Sequence, residues 1–324
     1  LSEDTVRKKV EKISSIERMR TNVEKKVGDE IRKAGLSGVK VDEDYKRYYP
    51  YHSLASKVLG FTGADNQGII GLEVEYENIL SGESGKILTT TDARGIELDG
   101  IGESRAEPKA GNNLRISLDI SIQEYVQQAA KKVMQEKEAD RVSILLMNPQ
   151  NGEIYAMVNA PEFDLNHPYT LVNGKEGMSE KEKMTALNAM WRNLAVSDTY
   201  EPGSTFKVLS TYLPALDTCG MTLADVMDDA PFRYPGTNKK VKDWDSSGYK
   251  GLTSLRQGIV DSVNVVTVKT FQKVTPQTGF DYLLNLGFTT LVDRRESTDG
   301  RIYTDIQLPT ALGGLTDGVT NSEL

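Results

Sequence analysis

The chain has 324 residues, of which 38% are hydrophobic and 27% are charged, and its formal net charge is -8. This length and this balance suit a folded protein of two domains and exclude a disordered chain. The acidic character argues against a nucleic-acid partner, because phosphate binding requires a concentrated basic surface.

The titratable residues that usually build metal and redox sites are scarce. A single cysteine, Cys219, excludes an intrachain disulfide, and two histidines, His52 and His167, are too few for a zinc cluster. We therefore expect no metal and no cofactor, and we interpret both histidines as surface or loop residues. The longest apolar run, residues 144–147, is far too short to cross a bilayer.

The first part of the chain predicts a helix followed by small strands. Residues 2–35 are rich in charge, with apolar side chains at helical spacing at Val6, Val10, Ile13, Ile16 and Met19. This pattern favours an ordinary amphipathic helix over a coiled coil that binds a partner. From residue 38 to about 113, short runs separated by glycines indicate strands and turns.

A turn-rich junction at residues 107–113 predicts a domain boundary. We therefore expect one domain over residues 1–113 and a second over residues 114–324. The first is interpreted as a pedestal for the second.

The second domain opens with a strand pattern followed by a helix pattern. Residues 114–118 alternate like a strand, and Ser121 with Glu124 forms a possible capping box for the helix that follows. Residues 142–158 then predict a hairpin with its turn at Asn151-Gly152. Later, Thr275-Pro276 begins a helix that ends at Gly287. Strands mixed with long helices predict an α+β fold, with an antiparallel sheet covered by helices.

The centre of the second domain carries the first catalytic pattern. Ser204 follows a Pro-Gly turn at the predicted start of a helix, and Lys207 lies three positions later, so the amine can reach the hydroxyl from the same helical face. A serine needs a base to become a nucleophile, and a lysine that burial keeps partly neutral can be that base. The alternative is a capping serine followed by a surface lysine.

A second polar pattern follows at Ser262 and Asn264. The hydroxyl of Ser262 can relay a proton, and the amide of Asn264 can hold a substrate carbonyl. The preceding residues 253–260 predict a short amphipathic helix, and residues 230–248 predict a long loop near Ser262. In that loop, Trp244 either forms the floor of a substrate groove or covers the core.

Ser-x-x-Lys followed by Ser-x-Asn, in that order, resembles the penicillin-binding proteins, the D,D-transpeptidases that cross-link peptidoglycan and are acylated by β-lactams. Other stretches carry the same resemblance, to the pedestal module of class B and to the first hairpin of the transpeptidase domain. They are residues 47–50 (RYYP), 54–63 (LASKVLGFTG), 65–68 (DNQG), 71–73 (GLE), 80–82 with Gly85, 92–95 (DARG) and 148–158 (NPQNGEIYAMV). The family usually has aspartate where this chain has Asn148.

The resemblance implies a β-lactamase/transpeptidase-like domain on a pedestal, and an acyl-enzyme formed on Ser204. It implies that Lys207 and Ser262 are catalytic, that Asn264 binds the donor peptide, and that the substrates are D-Ala-D-Ala stem peptides and β-lactam antibiotics. Partner proteins of cell-wall synthesis are also expected. The family is tethered by an N-terminal membrane helix and works outside the cytoplasmic membrane, so we expect the anchor to be absent from this chain, which begins at Leu1.

Two features depart from the simplest class B interpretation. Residues 250–256 and 308–320 look more like the bifunctional class A enzymes, although no glycosyltransferase-like region precedes them. The family also takes one oxyanion donor from a strand with Lys-Thr/Ser-Gly, and that triplet is absent, which predicts that the chain ends before it. A non-catalytic scaffold, a β-lactam sensor and a class D-like β-lactamase are the alternatives.

Overall fold

The chain is divided into two compact units. The computed structural model describes residues 2–12, 14, 17–21, 23–36, 38–42, 46–83, 85–88, 104–106, 109–174, 177–245 and 248–324. The first unit comprises Leu1–Ser117 with Glu162–Trp191, and the second comprises Leu118–Pro161 with Arg192–Leu324. The predicted division into residues 1–113 and 114–324 remains a prediction.

Helices and short strands alternate along the chain. The helices are α1 (Glu3–Val10), α2 (Lys25–Lys33), α3 (Ser56–Leu59), α4 (Gly71–Glu75), α5 (Glu77–Leu80), α6 (Ile120–Lys137), α7 (Glu180–Trp191), α8 (Leu194–Ser197), α9 (Leu213–Thr218), α10 (Leu255–Val260), α11 (Asn264–Val274) and α12 (Pro276–Asn285). The strands are β1 (Lys86–Leu88), β2 (Ser104–Ala106), β3 (Val142–Met147), β4 (Ile154–Ala160), β5 (Thr199–Tyr200), β6 (Val226–Asp229), β7 (Phe232–Arg233), β8 (Lys240–Val241), β9 (Gly251–Ser254), β10 (Arg295–Glu296), β11 (Ile302–Tyr303) and β12 (Val319–Thr320).

The predicted single helix over residues 2–35 is wrong, because two short helices, α1 and α2, stand in its place. Val10, on the predicted apolar stripe, is 69% exposed, and α1 buries none of its residues. Most helical stability comes from packing an apolar face, and the described residues Val6 and Val10 of this stripe are exposed, which does not sustain a long helix. Ile13 and Ile16 lie outside the described residues.

The first unit is held by an aromatic core and a partly buried ion pair. Phe61 packs edge-on against Phe163 and Trp191, with ring centroids 6.1 and 5.1 Å apart. Arg47 forms two hydrogen bonds with the buried carboxylate of Glu73, at 2.7 and 2.9 Å. Both residues of this ion pair belong to stretches that resemble the class B pedestal. Another of these stretches, residues 92–95, lies outside the described residues.

The second unit begins with a helix on a hairpin. Strands β3 and β4 pair antiparallel as predicted, and α6 packs on them through a cluster that includes Val126, Ala130 and Val158. The predicted cap is wrong, since the side chain of Asp119, not Ser121, accepts the N–H of Ile122 at the start of α6.

The predicted strand at residues 114–118 is also wrong, since these residues pair with no strand in the described part of the chain. Ile116, the central apolar residue of the run, is exposed, so the apolar side of the predicted strand does not pack into a core. The helix predicted at residues 253–260 begins only at residue 255, because residues 253 and 254 belong to β9. The loop predicted at residues 230–248 contains the β7-β8 hairpin.

Helix α11 is the central element of the second unit. Seven of its side chains are buried: Val265, Val266, Thr267, Val268, Thr270, Phe271 and Val274. The described strands form two-stranded antiparallel sheets accompanied by helices, so the α+β prediction is confirmed. Burial of α11 on most faces fixes the position of its first residue, Asn264.

Candidate active site

Ser204 lies in a tight turn and not in the predicted α-helix. Residues Gly203–Phe206 form a 3-10 helix, in which the backbone N–H of Lys207 donates to the carbonyl of Ser204. A π-helical turn, Val208–Tyr212, follows and leads into α9. Side chains at i and i+3 eclipse one another in a 3-10 helix, so the tighter geometry keeps Ser204 and Lys207 on one side.

This turn is anchored on both sides. Phe206 is fully buried and packs edge-on against Phe288, with ring centroids 5.4 Å apart. On the backbone, Gly313 has a φ of +74°, and a Cβ there would lie 2.5 Å from the carbonyl oxygen of Gly203. The segment before Ser204 is therefore packed backbone to backbone against Gly313, while the side chain of Ser204 itself is exposed.

Lys207 is the buried cation of the site, with 3% of its surface exposed. Its Nζ donates to the carbonyl oxygen of Ser262 at 2.8 Å, to Oγ of Ser262 at 3.0 Å and to Oδ1 of Asn264 at 2.6 Å. Burial lowers the pKa of Lys207 from 10.5 to about 8, against the opposing charge of Asp243. A minor fraction of the amine, on the order of a tenth, is thus neutral near pH 7.

Three acceptors account for all three protons of the ammonium form. In the neutral form, the carbonyl of Ser262 and the amide oxygen of Asn264 still accept the two remaining N–H groups. The lone pair is then free to take a proton from a hydroxyl. None of the hydrogen bonds of Nζ goes to Ser204.

Ser262 adopts an uncommon backbone conformation, with φ of +53°. A serine in the left-handed region is strained, and such strain is characteristic of functional sites. This conformation presents both the carbonyl oxygen and the hydroxyl of Ser262 to the same nitrogen of Lys207.

Asn264 is clamped by the two residues that follow β8. Its Nδ2 donates to the carbonyl of Lys242 at 2.6 Å, and its backbone N–H donates to Oδ1 of Asp243 at 2.6 Å. Asp243 also accepts the N–H of Val265 at 3.3 Å and so caps α11 from a distant part of the chain. The amide oxygen of Asn264 is left facing Lys207.

Trp244 lies beside this clamp and at the surface. Its indole N–H donates to the carbonyl of Asp261 at 2.8 Å, and its side chain is 73% exposed. The alternative that Trp244 covers the core does not fit this exposure. A role in substrate binding stays a prediction.

The structure thus brings Lys207, Ser262 and Asn264 together and places Ser204 on the same turn as Lys207. The sequence interpretation missed Asp243. The sequence gives only an indirect sign of it: the residue before α11 is Val263, whose side chain cannot cap a helix. A buried helix without a local cap requires an acceptor from elsewhere.

Comparison with known proteins identifies the family. Residues 142–324 match the penicillin binding protein transpeptidase domain, and residues 2–116 match the penicillin-binding protein dimerisation domain. The chain belongs to the class B penicillin-binding proteins. The predicted family is therefore confirmed, and so is a transpeptidase-like fold in one chain with a dimerisation module.

Relatives and solved structures agree with this family. The chain is 31% identical to stage V sporulation protein D of Bacillus subtilis over 293 residues, which is 89% of this chain and 43% of that protein. It is 28% identical over 287 residues to the probable peptidoglycan D,D-transpeptidase PenA of Neisseria meningitidis, covering 88% of this chain and 46% of PenA. The chain thus spans less than half of each of these two relatives.

The fold is similar to that of PBP2 from Helicobacter pylori, solved in complex with MreC. The TM-score is 0.71 at 23% identity, with 100% of this chain and 65% of that chain covered. In the part of the chain that the structure describes, no helix combines the length and the apolar character needed to span a membrane.

Proposed function

We propose that this penicillin-binding protein is a serine-type peptidoglycan D,D-transpeptidase that acts through an acyl-enzyme on Ser204. One observation carries the proposal: the buried amine of Lys207, held by Ser262 and Asn264, lies on the same 3-10 turn as the exposed hydroxyl of Ser204. An amine with a lowered pKa beside an exposed hydroxyl is the arrangement that nucleophilic catalysis by serine requires.

In the proposed reaction, neutral Lys207 takes the proton of Ser204 as Oγ attacks the carbonyl carbon of the penultimate D-alanine. The C–N bond to the terminal D-alanine breaks, and Ser262 passes a proton from Lys207 to the leaving nitrogen. An amine of a second stem peptide then attacks the ester, its proton passes to Oγ of Ser204, and the ester C–O bond breaks to release the free serine hydroxyl. The backbone N–H of Ser204 is one donor for the oxyanion.

The remaining roles are part of the same proposal. Asn264 binds the backbone of the donor peptide, Trp244 lines the groove, and β-lactams acylate Ser204 as substrate mimics. Residues 1–113 act as the pedestal of a transpeptidase domain that begins at residue 114. We place the protein at the outer face of the cell membrane, held by an N-terminal anchor.

A partner protein from the cell-wall machinery is proposed as well. The support is the likeness in fold to PBP2, which was solved in complex with MreC. This likeness supports a partner protein of that kind, and the site residues do not depend on it.

Acylation by a fluorescent penicillin tests the proposed function. The full-length gene product that contains this chain is incubated with the antibiotic, and the adduct is located by mass spectrometry. We expect the label on Ser204 and its loss in Ser204→Ala, whereas Ser210→Ala, a serine on the following turn, keeps it.

Absence of label in a folded full-length protein would overturn the proposal and favour a scaffold that does not react. Rapid release of hydrolysed antibiotic would overturn it in favour of a β-lactamase.

A further inference from the structure

A second carboxyl group lies behind the cap of α11. Asp229, the last residue of β6, is 2% exposed, and its Oδ2 accepts the backbone N–H of Lys250 at 2.7 Å. Its other oxygen is buried without a hydrogen-bond partner among the described residues, and the same is true of Oδ2 of Asp243. The two carboxyls line the same small cavity, together with Trp244, Asp245 and Lys250.

Two buried acceptors without hydrogen-bond donors, at the wall of one cavity, are costly. They line a cavity of about 10 Å³, the size of a single water molecule. One proton between the two carboxyls removes one of the two charges and satisfies both oxygens, because two like charges in so small a buried space do not both persist. Burial and the neighbouring Asp243 raise the pKa of Asp229, while the N–H of Lys250 acts in the opposite direction.

The other charges around the pair do not replace that proton. The ammonium of Lys250 is engaged by Asp261 at 2.7 Å, and Asp245, which lines the same cavity, adds a further negative charge. Lys207 lies beyond Asn264 and feels the charge of Asp243. A negative charge at the cap of α11 is stabilising, since the N-terminus of a helix is its positive end.

We propose that Asp243 is a positioning residue for the Lys207 site and that it forms a carboxyl pair with Asp229, which shares one proton and keeps one negative charge. The inference rests on the proposed function for its catalytic meaning. The pair holds Asn264, and with it the amide oxygen that meets Lys207. Its single charge favours the ammonium form of Lys207.

The test measures the titration of Lys207 directly, without any substrate. Lysine labelled with ¹³C at Cε is incorporated into the protein, and its NMR signal is followed against pH, with the signal of Lys207 assigned from Lys207→Arg. In Asp243→Asn we expect the pKa of Lys207 to fall by about half a pH unit or more, because an opposite charge nearby is lost.

Asp229→Asn should leave the pKa of Lys207 unchanged, since Asp229 is already neutral and the amide of asparagine can donate to Asp243. The control is Asp228→Asn, which removes an exposed charge from the same strand and should also have no effect. Asp243→Ser provides a second neutral cap in case Asp243→Asn does not fold.

Two results would overturn the inference. If Asp229→Asn lowers the pKa of Lys207 as much as Asp243→Asn does, both carboxyls are charged and a water bridges them. If neither Asp243 variant changes the titration, Asp243 does not act on Lys207. If the pKa of Lys207 changes as expected in these variants but penicillin does not label Ser204, the carboxyl pair is supported and the proposed function is overturned.

Discussion

At the scale of single residues, the site depends on a lysine with three acceptors. Oγ of Ser262 can both accept and donate, whereas the carbonyl of Ser262 and the amide oxygen of Asn264 can only accept. The two acceptor-only partners fix the orientation of a neutral amine and leave its lone pair for a hydroxyl. Lys207 therefore acts as a base only if it can lose a proton.

Replacement of Lys207 by arginine separates charge from basicity. A guanidinium keeps the positive charge but does not deprotonate, so we expect Lys207→Arg to slow acylation by penicillin by about 10²- to 10⁴-fold. The measurement is the second-order acylation rate constant. Lys250→Arg, at an exposed lysine paired with Asp261, is the matched control and should keep the rate. Retained acylation in Lys207→Arg would exclude lysine as the base.

The rate should also follow the titration of Lys207. Because burial lowers the pKa of this group to about 8, the amine is charged below that pH and neutral above it. We therefore expect the acylation rate constant to rise with pH, with a midpoint near 8, and then to level off. Stopped-flow or gel-based acylation rates across this range provide the measurement, and a flat profile would contradict the assignment.

At the scale of elements, the half-buried carboxylate of Glu323 joins the strand β12 to the loop after α12. Glu323 accepts the backbone N–H groups of Thr289 and Thr320 at 2.8 and 2.9 Å, and three threonine hydroxyls in the same loops. Burial alone would raise the pKa of Glu323, but the donors from Thr320 and Thr289 outweigh it and lower the pKa to about 2.

Glu323→Gln should reduce the free energy of unfolding by about 1–3 kcal/mol at neutral pH, because hydrogen bonds to a charged acceptor are lost. Because folding lowers the pKa of Glu323, its ionised carboxylate stabilises the protein at pH values above the ordinary pKa of 4.5. This stabilisation is lost as the pH falls toward about 2. The difference between the variant and the original should therefore shrink over this interval.

Urea unfolding at several pH values measures this difference. Glu296→Gln, at an exposed glutamate of β10, is the control and should change little at any pH. A destabilisation by Glu323→Gln that is constant from neutral to acidic pH would contradict the electrostatic origin.

At the scale of the whole molecule, residues far apart in sequence build the turn that carries Ser204. Gly313 packs its backbone against Gly203, and a Cβ on Gly318 would meet the carbonyl of Tyr200 at 2.4 Å. The chain from residue 313 to 318 therefore supports the segment that leads into Ser204, and β12 pairs with β5 beside it.

Gly313→Ala should both destabilise the protein, by about 1–3 kcal/mol, and slow acylation of Ser204. The substituted residue would be strained at φ of +74°, and its Cβ would press on the backbone of Gly203, which carries the neighbouring serine. Gly314→Ala is the matched control, since its Cβ would meet nothing closer than 3.3 Å. Thermal unfolding and the acylation rate are measured for both, and equal effects would contradict the predicted support.

The sequence alone determined the features that depend on local pattern. The hairpin of β3 and β4, the helix α12 and the α+β class followed from alternation, turn residues and helix ends, and the spacing of Ser204 and Lys207 indicated a shared face. Family resemblance supplied the pedestal and the proposed roles.

The tertiary structure decided what depends on partners distant in sequence. It broke the helix at residues 2–35, where Val6 and Val10 of the apolar stripe are exposed, and it tightened the helix at Ser204 into a 3-10 turn packed on Gly313. It also supplied Asp243 as the cap of α11 and Asp229 behind it. Burial and hydrogen bonding between remote segments leave no periodic trace in a sequence, so these contacts became visible only in the folded chain.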